Sequence, residues 1–281
     1  MITVTYNSDG IKVSVGEISK YNKNLPLKLN IRKHVSGEIQ WSSNLNDNWY
    51  ATYPSTEMFD VEILDSKGTI VYTKKWDIME HGNHFYKSLW VYNKSLLSNG
   101  KFPTGLVIGT HDGEFGEWVP IVQKRECKVV LVEASDKQFN KLKQNYSKNS
   151  LVRPIQNLIT PNGGEVEFFE GGAGYTNTVV ESVIKHWEKE EIQSTKKSSI
   201  SITDLILSEC NGKIDWLHLD VEGLDAQLIM GIDENKVSLP NFIIFEDYNL
   251  SQDKKDEIYN WLKDMGFELK SEGGICEAIR N

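Results

Sequence analysis

Short runs of consecutive apolar residues alternate with amphipathic segments through the last two thirds of the chain. Such runs suit strands that are buried on both faces of a parallel sheet. The segments between them repeat apolar residues at helical spacing, and several open on Ser, Thr or Asp, which cap helices. The strand candidates are GLVIG, KVVLVEA, RPIQNLI, IDWLHLD and FIIFED. Repeated βα units predict an α/β fold with a doubly wound sheet, which two short strands around Gly273 and Gly274 close as a hairpin.

The first 85 residues follow another pattern, in which apolar and polar residues alternate with the period of half-buried strands. Turn-forming segments such as DSKG separate these strands. We therefore predict a small all-β, sandwich-like accessory domain over residues 1–85 and an α/β domain over residues 86–281. Aromatic residues in the first domain suit either stacking on sugar rings or packing in a core or subunit contact: Trp41, Trp49, Tyr50 and Tyr53.

Net charge, hydropathy and the cysteines limit the partners, the compartment and the disulfide bonding that we expect for the chain. The 281 residues carry a formal net charge of -9, which argues against nucleic-acid or anionic-membrane binding because both need basic surface. The sequence has no long apolar run and no apolar leader after Met1, so we expect a cytoplasmic protein; a homo-oligomer stays open. The three cysteines, Cys127, Cys210 and Cys276, are scattered and predict buried free thiols.

The segment IGTHDGEFGEW, from Ile108 to Trp118, follows the first buried strand and is predicted to lead into a helix near Glu114. Its spacing is G-x-x-x-G, from Gly109 to Gly113, and His111 stands where a dinucleotide fingerprint has its second glycine. The acidic Asp112 at the expected helix start disfavours a pyrophosphate. The loop therefore suits a cofactor with a cationic amino-acid part, and a purely structural turn is the alternative.

Glu133 ends the second buried strand, about twenty residues beyond the loop. A carboxylate at that position can accept hydrogen bonds from both hydroxyls of a ribose. A helix capped by Ser135 or Asp136 is predicted to follow it. A solvated glutamate at a strand end is the alternative.

Three blocks of sequence resemble the FkbM-type S-adenosylmethionine-dependent methyltransferases: VVLVEASDKQF, the D-V-E-G turn at Asp220 and FIIFEDYN. The resemblance covers roughly Pro103 to Ile279. It implies a Rossmann-like class I methyltransferase fold and S-adenosylmethionine as the cofactor. The residues that it implies in cofactor binding are Gly109, Thr110, His111, Asp112, Gly113, Glu133, Ala134, Ser135, Gln156, Asn157 and Leu158.

Candidate catalytic residues lie at the expected carboxyl ends of the fourth and fifth strands: His218, Asp220, Glu222 and Glu246. Asp220 or Glu222 could act as general base, orient a hydroxyl or hold a divalent metal. No spacing demands a metal, and none is predicted. A helix start at Glu222 and Gly223 and a core role for His218 are the alternatives.

The polar segment GGAGYTNTVVES is predicted to shape the acceptor pocket through Tyr175, Thr176 and Asn177, with Asp247 as a further substrate-binding residue. Capping of the next helix by Thr176 or Asn177 is the alternative. The segment KHWEKEEIQSTKKSS is predicted to be a solvated helix end and a flexible connector.

These observations predict an O-methyltransferase that acts on a hydroxyl of a sugar, a glycan or a related small metabolite. The choice of a sugar as the acceptor depends on the resemblance, because no residue of the sequence identifies the acceptor. Two alternatives stay open: a nicotinamide-dependent oxidoreductase, and a non-catalytic glycan-binding or assembly protein on a cofactor-binding scaffold.

Overall fold

The chain divides into two compact units, residues 1–91 with 114–124 and residues 92–113 with 125–281. The predicted boundary between residues 85 and 86 stays a prediction. The computed structural model describes residues 2–7, 10–15, 27–33, 39–45, 49–53, 59–64, 66–76, 84–114, 116–171, 176–187 and 192–280.

Two antiparallel sheets form most of the described part of the first unit. One has the order β1–β2–β5, and the other has the order β4–β3–β6–β7. The strands are β1 (Ile2–Asn7), β2 (Gly10–Val15), β3 (Leu27–Lys33), β4 (Ile39–Leu45), β5 (Trp49–Tyr53), β6 (Phe59–Leu64) and β7 (Ile70–Trp76). The prediction that these two sheets pack face to face as a sandwich stays a prediction. The side chains of Trp41, Trp49, Tyr50 and Tyr53 lie outside the part that the structure describes.

Two helices flank the glycine-containing loop in sequence. The first, α1, spans His84–Ser98, and α2 spans Val119–Gln123. The prediction that a helix starts near Glu114 is wrong, because Gly113 and Gly116 take positive φ angles and Pro120 stands in the first turn of α2. Proline is tolerated at that position, where its missing N–H is not needed.

The second unit is built on a seven-stranded sheet with the order β10–β9–β8–β15–β16–β18–β17. Its strands are β8 (Thr104–Ile108), β9 (Lys128–Glu133), β10 (Val152–Gln156), β15 (Trp216–Leu219), β16 (Phe242–Glu246), β17 (Glu268–Glu272) and β18 (Ile275–Ile279). All neighbours from β10 to β16 are parallel, and β18 inserts antiparallel between β16 and β17. The strand order reverses beside β8, so ligands are expected beyond the carboxyl ends of β8 and β15.

The helices of this unit are α3 (Asp136–Asn145), α4 (Glu181–Trp187), α5 (Ile202–Cys210), α6 (Asp225–Met230) and α7 (Gln252–Asp264). Apolar side chains of the sheet and of α5, α6 and α7 form one core, with Leu106, Leu205, Leu217, Leu228 and Ile258 each at most 1% exposed. The predicted doubly wound sheet and its closing hairpin are confirmed.

A second sheet of this unit has the order β11–β14–β12–β13 and was not predicted. Its strands are β11 (Leu158–Thr160), β12 (Gly164–Glu170), β13 (Asn177–Thr178) and β14 (Gln193–Ser201). The prediction of a flexible connector is therefore wrong from Gln193 onward. Backbone pairing of β14 with β11 and β12 stabilises a strand whose polar side chains are mostly exposed.

The three cysteines are buried free thiols, as predicted. Burial raises the pKa of each, Cys127, Cys210 and Cys276, to about 12. Within the described residues, no helix has the length and apolar character needed to cross a bilayer.

Candidate functional site

The loop after β8 passes directly over the backbone at the end of β15. Gly109 has a φ of +84°, and a Cβ on it would lie 1.8 Å from the carbonyl oxygen of Asp220. Only glycine fits such a contact. The N–H of Gly109 donates to the carbonyl of Val132, and the N–H of Asp220 donates to that of Ile108, both at 3.0 Å. The carboxyl ends of β8 and β15 are therefore held against each other, and the loop is held to β9.

Glu133, at the end of β9, is held by two backbone donors. Its Oε2 accepts from the N–H of His111 and its Oε1 from the N–H of Ser135, each at 2.8 Å. The residue is only 6% exposed. Burial raises the pKa of this carboxyl, while the hydrogen bonds from Ser135 and His111 act in the opposite direction. The carboxylate therefore has one fixed orientation beside the loop.

Other predicted cofactor residues hold the loop in place. The hydroxyl of Thr110 donates to the Val132 carbonyl at 3.3 Å. The carbonyl of Asp112 accepts from Asn145 at 2.9 Å, and that of Gly113 accepts from the Tyr146 hydroxyl at 2.7 Å.

A pocket lies at this edge of the sheet and has a volume of about 680 Å³, including space open to solvent. Of the predicted residues, those that line it are Gly109, His111, Glu133, Ala134, Asn157, Leu158, Asn177, Asp220 and Glu222. Predicted residues that do not line it are Thr110, Asp112, Gly113, Ser135, Gln156, Thr176, His218, Glu246 and Asp247. Tyr175 lies outside the described residues.

Three carboxylates converge beside the pocket. Asp220 and Glu222 follow β15, and Glu246 ends the neighbouring strand β16; one carboxylate oxygen of each lies within 4.8 Å of the other two. The amide of Asn249 donates to Glu222 Oε2 at 2.7 Å and to Glu246 Oε2 at 3.0 Å. An N–H₂ group therefore faces the pair of glutamates.

This convergence perturbs the acidity of both glutamates. Burial and, after it, the charges of Glu246 and Asp220 raise the pKa of Glu222 to about 8, while the hydrogen bond from Asn249 acts in the opposite direction. Burial, followed by the charge of Asp220, raises the pKa of Glu246 to about 7. Near neutral pH the pair therefore exchanges protons readily, as a general base or acid must.

A turn with an unusual backbone conformation positions the side chain of Glu222. Its φ is +55°, unusual for a residue with a side chain, and Gly223 follows at +97°. The fully buried carboxylate of Asp225 accepts from the N–H groups of Val221 and Gly223, at 3.4 and 3.3 Å. The hydroxyl of Thr178 donates to the carbonyl of Glu222 at 2.9 Å. Helix α6 begins at Asp225 with Leu224 as its N-cap, so the alternative that Glu222 starts or caps that helix is wrong.

Two predicted residues are engaged elsewhere. His218 is 5% exposed within β15, as the core alternative expects. Asp247 is 1% exposed; its carboxylate accepts from the hydroxyls of Tyr259 and Ser271, and Lys255 Nζ lies 3.6 Å away. The structure therefore places Asp247 away from the acceptor pocket. Thr178, which follows the two predicted capping residues Thr176 and Asn177, accepts through Oγ1 from the N–H of Val180, just before α4.

Comparison with known families gives an identification. The model of the FkbM methyltransferase domain matches residues 108–269, more than half of the chain. The chain belongs to the FkbM methyltransferase family. It is therefore an S-adenosylmethionine-dependent methyltransferase, and the predicted family, enzyme class and cofactor are confirmed. The family contradicts the oxidoreductase and non-catalytic alternatives.

Solved structures show distant similarity to this FkbM methyltransferase. Aeropyrum pernix fibrillarin, crystallised with natively bound S-adenosyl-L-methionine, has 10% sequence identity and a TM-score of 0.39, with 99% of each chain covered. A putative caffeoyl-CoA O-methyltransferase from Staphylococcus aureus has 12% identity and a TM-score of 0.38, with 69% of this chain and 83% of that chain covered. No curated protein matches the sequence.

The pocket fits the cofactor of the family. Gly109 lines the pocket while its backbone lies against the Asp220 carbonyl, and Glu133 presents a fixed, buried carboxylate of the kind that accepts from ribose hydroxyls. Residues outside the predicted set complete the lining: Ile108, Val132, Ile159, Phe168, Thr178, Val179, Val221 and Leu224. Phe168 belongs to the unpredicted sheet, and no local motif distinguished it.

Proposed function

We propose that this FkbM methyltransferase methylates a hydroxyl group of a sugar, a glycan or a related small metabolite. The observation that carries the proposal is Glu222, a carboxylate with a pKa near 8 that lines the same pocket as Glu133. Removal of a proton from an alcohol during methylation needs a positioned base with a pKa close to the working pH. An O-methyltransferase uses such a group, so Glu222 is assigned as the general base.

Gly109, His111, Glu133, Ala134, Asn157 and Leu158 are proposed to bind the donor, since all six line the pocket. When bound, the donor supplies a methyl group on a positively charged sulfur. Glu133 would accept hydrogen bonds from the ribose hydroxyls, and Gly109 and His111 of the glycine-containing loop would hold the donor from the same wall of the pocket. The chain thereby fixes the line of attack, which is the main contribution that a protein makes to such a displacement.

Glu222 takes the proton of the acceptor hydroxyl as its oxygen forms the new bond to the methyl carbon. The donor, held by Glu133 and the other pocket residues, would supply the methyl group and keep the electron pair of the broken carbon–sulfur bond. Asp220 and Glu246 keep the pKa of Glu222 high by their charge. Asn249 holds the carboxylate in place. Thr178 and Asn177 border the acceptor side of the pocket.

The proposal is tested by donor binding and turnover on purified protein. Thermal melting with S-adenosylmethionine or its demethylated product measures donor binding, and a ligand at one hundred times its Kd adds roughly 2.7 kcal/mol. Turnover on a panel of methyl glycosides and polyols is followed by release of the demethylated product. Stabilisation by both sulfur compounds with turnover on hydroxyl acceptors supports the proposal, whereas turnover confined to amine or thiol acceptors would overturn it.

A further inference from the structure

Two exposed aromatic rings contact each other beside the proposed base. Trp187, the last residue of α4, and Tyr248, two residues beyond β16, have ring centroids 5.6 Å apart and planes tilted by 40°. Trp187 is 45% exposed and Tyr248 is 58% exposed. Large aromatic residues side by side at a surface typically mark a binding site. We name Trp187 and Tyr248 the aromatic platform.

One side-chain amide connects the aromatic platform to Glu222. The indole Nε1–H of Trp187 donates to Asn249 Oδ1 at 3.0 Å, and Asn249 Nδ2 donates to Glu222 Oε2 at 2.7 Å. Because the indole occupies the carbonyl oxygen, the amide nitrogen of Asn249 must face the carboxylates. A ligand on the rings therefore lies within reach of the base.

Close packing anchors the two segments that carry these rings. A Cβ on Gly274, in the β17–β18 turn, would lie 2.9 Å from the Cβ of Tyr248, and the Tyr248 N–H donates to the Gly274 carbonyl at 3.2 Å. On the other side, a Cβ on Gly223 would lie 3.0 Å from Val183 Cγ2, so α4 packs directly on the turn that carries Glu222. The segments that carry the platform are therefore anchored beside the turn that carries the base.

We propose that the aromatic platform seats a sugar ring of the acceptor, an inference that rests on the proposed function and names its substrate class. One face of a pyranose carries C–H groups, which pack on aromatic rings, while its hydroxyls project from the edge. Those hydroxyls are donors, and the adjacent Asp220, Glu222 and Glu246 accept hydrogen bonds. The carboxylates also disfavour an anionic acceptor. A planar phenol would stack on the rings but would offer the carboxylates a single donor.

Saturation-transfer NMR with millimolar methyl glycosides of hexoses and 6-deoxyhexoses tests the platform without needing turnover. For the wild-type chain we expect transfer to the ring C–H protons of at least one glycoside. Trp187→Ala and Tyr248→Ala should each weaken its binding about fivefold or more. Phe102→Ala is the matched control. Phe102 is 45% exposed and lies just before β8, at the amino ends of the parallel strands and not at their carboxyl ends.

A second variant separates stacking from positioning. Trp187→Phe keeps an aromatic ring and loses the N–H that orients Asn249. It should bind the glycoside nearly as the wild-type chain does, raise KM little and lower kcat. A purely structural role for Trp187 would instead lower kcat and glycoside binding together, with a lower melting temperature.

The two proposals fail in different ways. Absence of glycoside binding, binding unchanged in both alanine variants, or tighter binding of a phenol than of every glycoside would overturn the platform even if the donor binds and hydroxyls are methylated. Glycoside binding that depends on Trp187 and Tyr248, combined with full turnover after Glu222→Gln, would keep the platform and overturn the assignment of the base.

Discussion

The backbone N–H of His111 donates to Oε2 of Glu133 at 2.8 Å and joins the loop after β8 to the end of β9, across 22 residues of sequence. The loop and the carboxylate therefore form one unit. Asn157, which lines the same pocket, donates its N–H to the carbonyl of Glu133. The side chain of Glu133 is therefore held by the loop, and its backbone is held by Asn157.

We predict that Glu133→Ala weakens S-adenosylmethionine binding at least about tenfold, because a charged acceptor contributes roughly 1.5–3 kcal/mol. Isothermal titration calorimetry measures the Kd, and circular dichroism checks the fold. Glu268→Gln, at an exposed position in β17, is the control. Unchanged affinity would show that the donor does not contact Glu133.

Glu222→Gln should lower kcat by about 10²–10⁴, since general-base catalysis contributes that much, while the donor Kd stays within about twofold of the wild-type value because the base contacts the acceptor. The measurement is steady-state turnover together with calorimetry of donor binding. Retention of full turnover would remove Glu222 from the mechanism.

The pH dependence of kcat follows from the pKa of Glu222. A general base acts in its deprotonated form, so activity should rise with pH through the region of about 8, where burial places this pKa. Glu246→Gln removes the largest charge effect that raises the pKa. The rising limb should then move to lower pH. A limb that stays in place would argue that the two carboxylates are not coupled.

Glu222 should also cost stability at alkaline pH. Its pKa of about 8 in the folded chain exceeds the ordinary value of 4.5, so the folded state holds the proton more tightly than the unfolded state. The contribution of Glu222 to stability therefore falls as pH rises from about 4.5 to 8. Glu222→Gln should melt above the wild-type chain near about pH 8.5, with the gain shrinking toward about pH 5. Differential scanning fluorimetry across pH measures this, and an equal gain at both pH values would contradict the raised pKa.

Gly109→Ala should destabilise the chain by more than about 3 kcal/mol, because left-handed strain and a steric overlap add. Its new Cβ would lie 1.8 Å from the Asp220 carbonyl oxygen. Gly212→Ala is the matched control, since Gly212 also has a positive φ but its Cβ would lie 3.6 Å from the nearest side-chain atom. The control should lose only about 1–2 kcal/mol. Chemical denaturation measures both, and equal losses would contradict the close approach at Gly109.

The main sheet was predictable because its parallel strands are continuous apolar runs, and burial on both faces requires such runs. The convergence of Asp220 with Glu246 followed from the same reasoning, since neighbouring parallel strands end at the same edge. Glu133 was placed by its spacing from the glycine loop.

The remaining features depend on contacts that leave no local pattern. Strand β14 is largely polar and exposed, so the pairing with β11 and β12 that forms it is invisible in its own residues. Asn249 lies in a turn, and its sequence neighbours do not show that its amide faces Glu222. Asp225 resembles an ordinary residue of a first helical turn, yet it is fully buried and holds the turn before it.

The chemistry of the three cysteines gives the molecule a practical property. Thiolates, not thiols, attack alkylating reagents, and a pKa of about 12 keeps Cys127, Cys210 and Cys276 protonated at neutral pH. A cysteine introduced at the exposed Glu268, outside the aromatic platform, would therefore react with a maleimide in preference to the native ones. A single fluorophore attached there would report on the molecule without a second label on the native thiols.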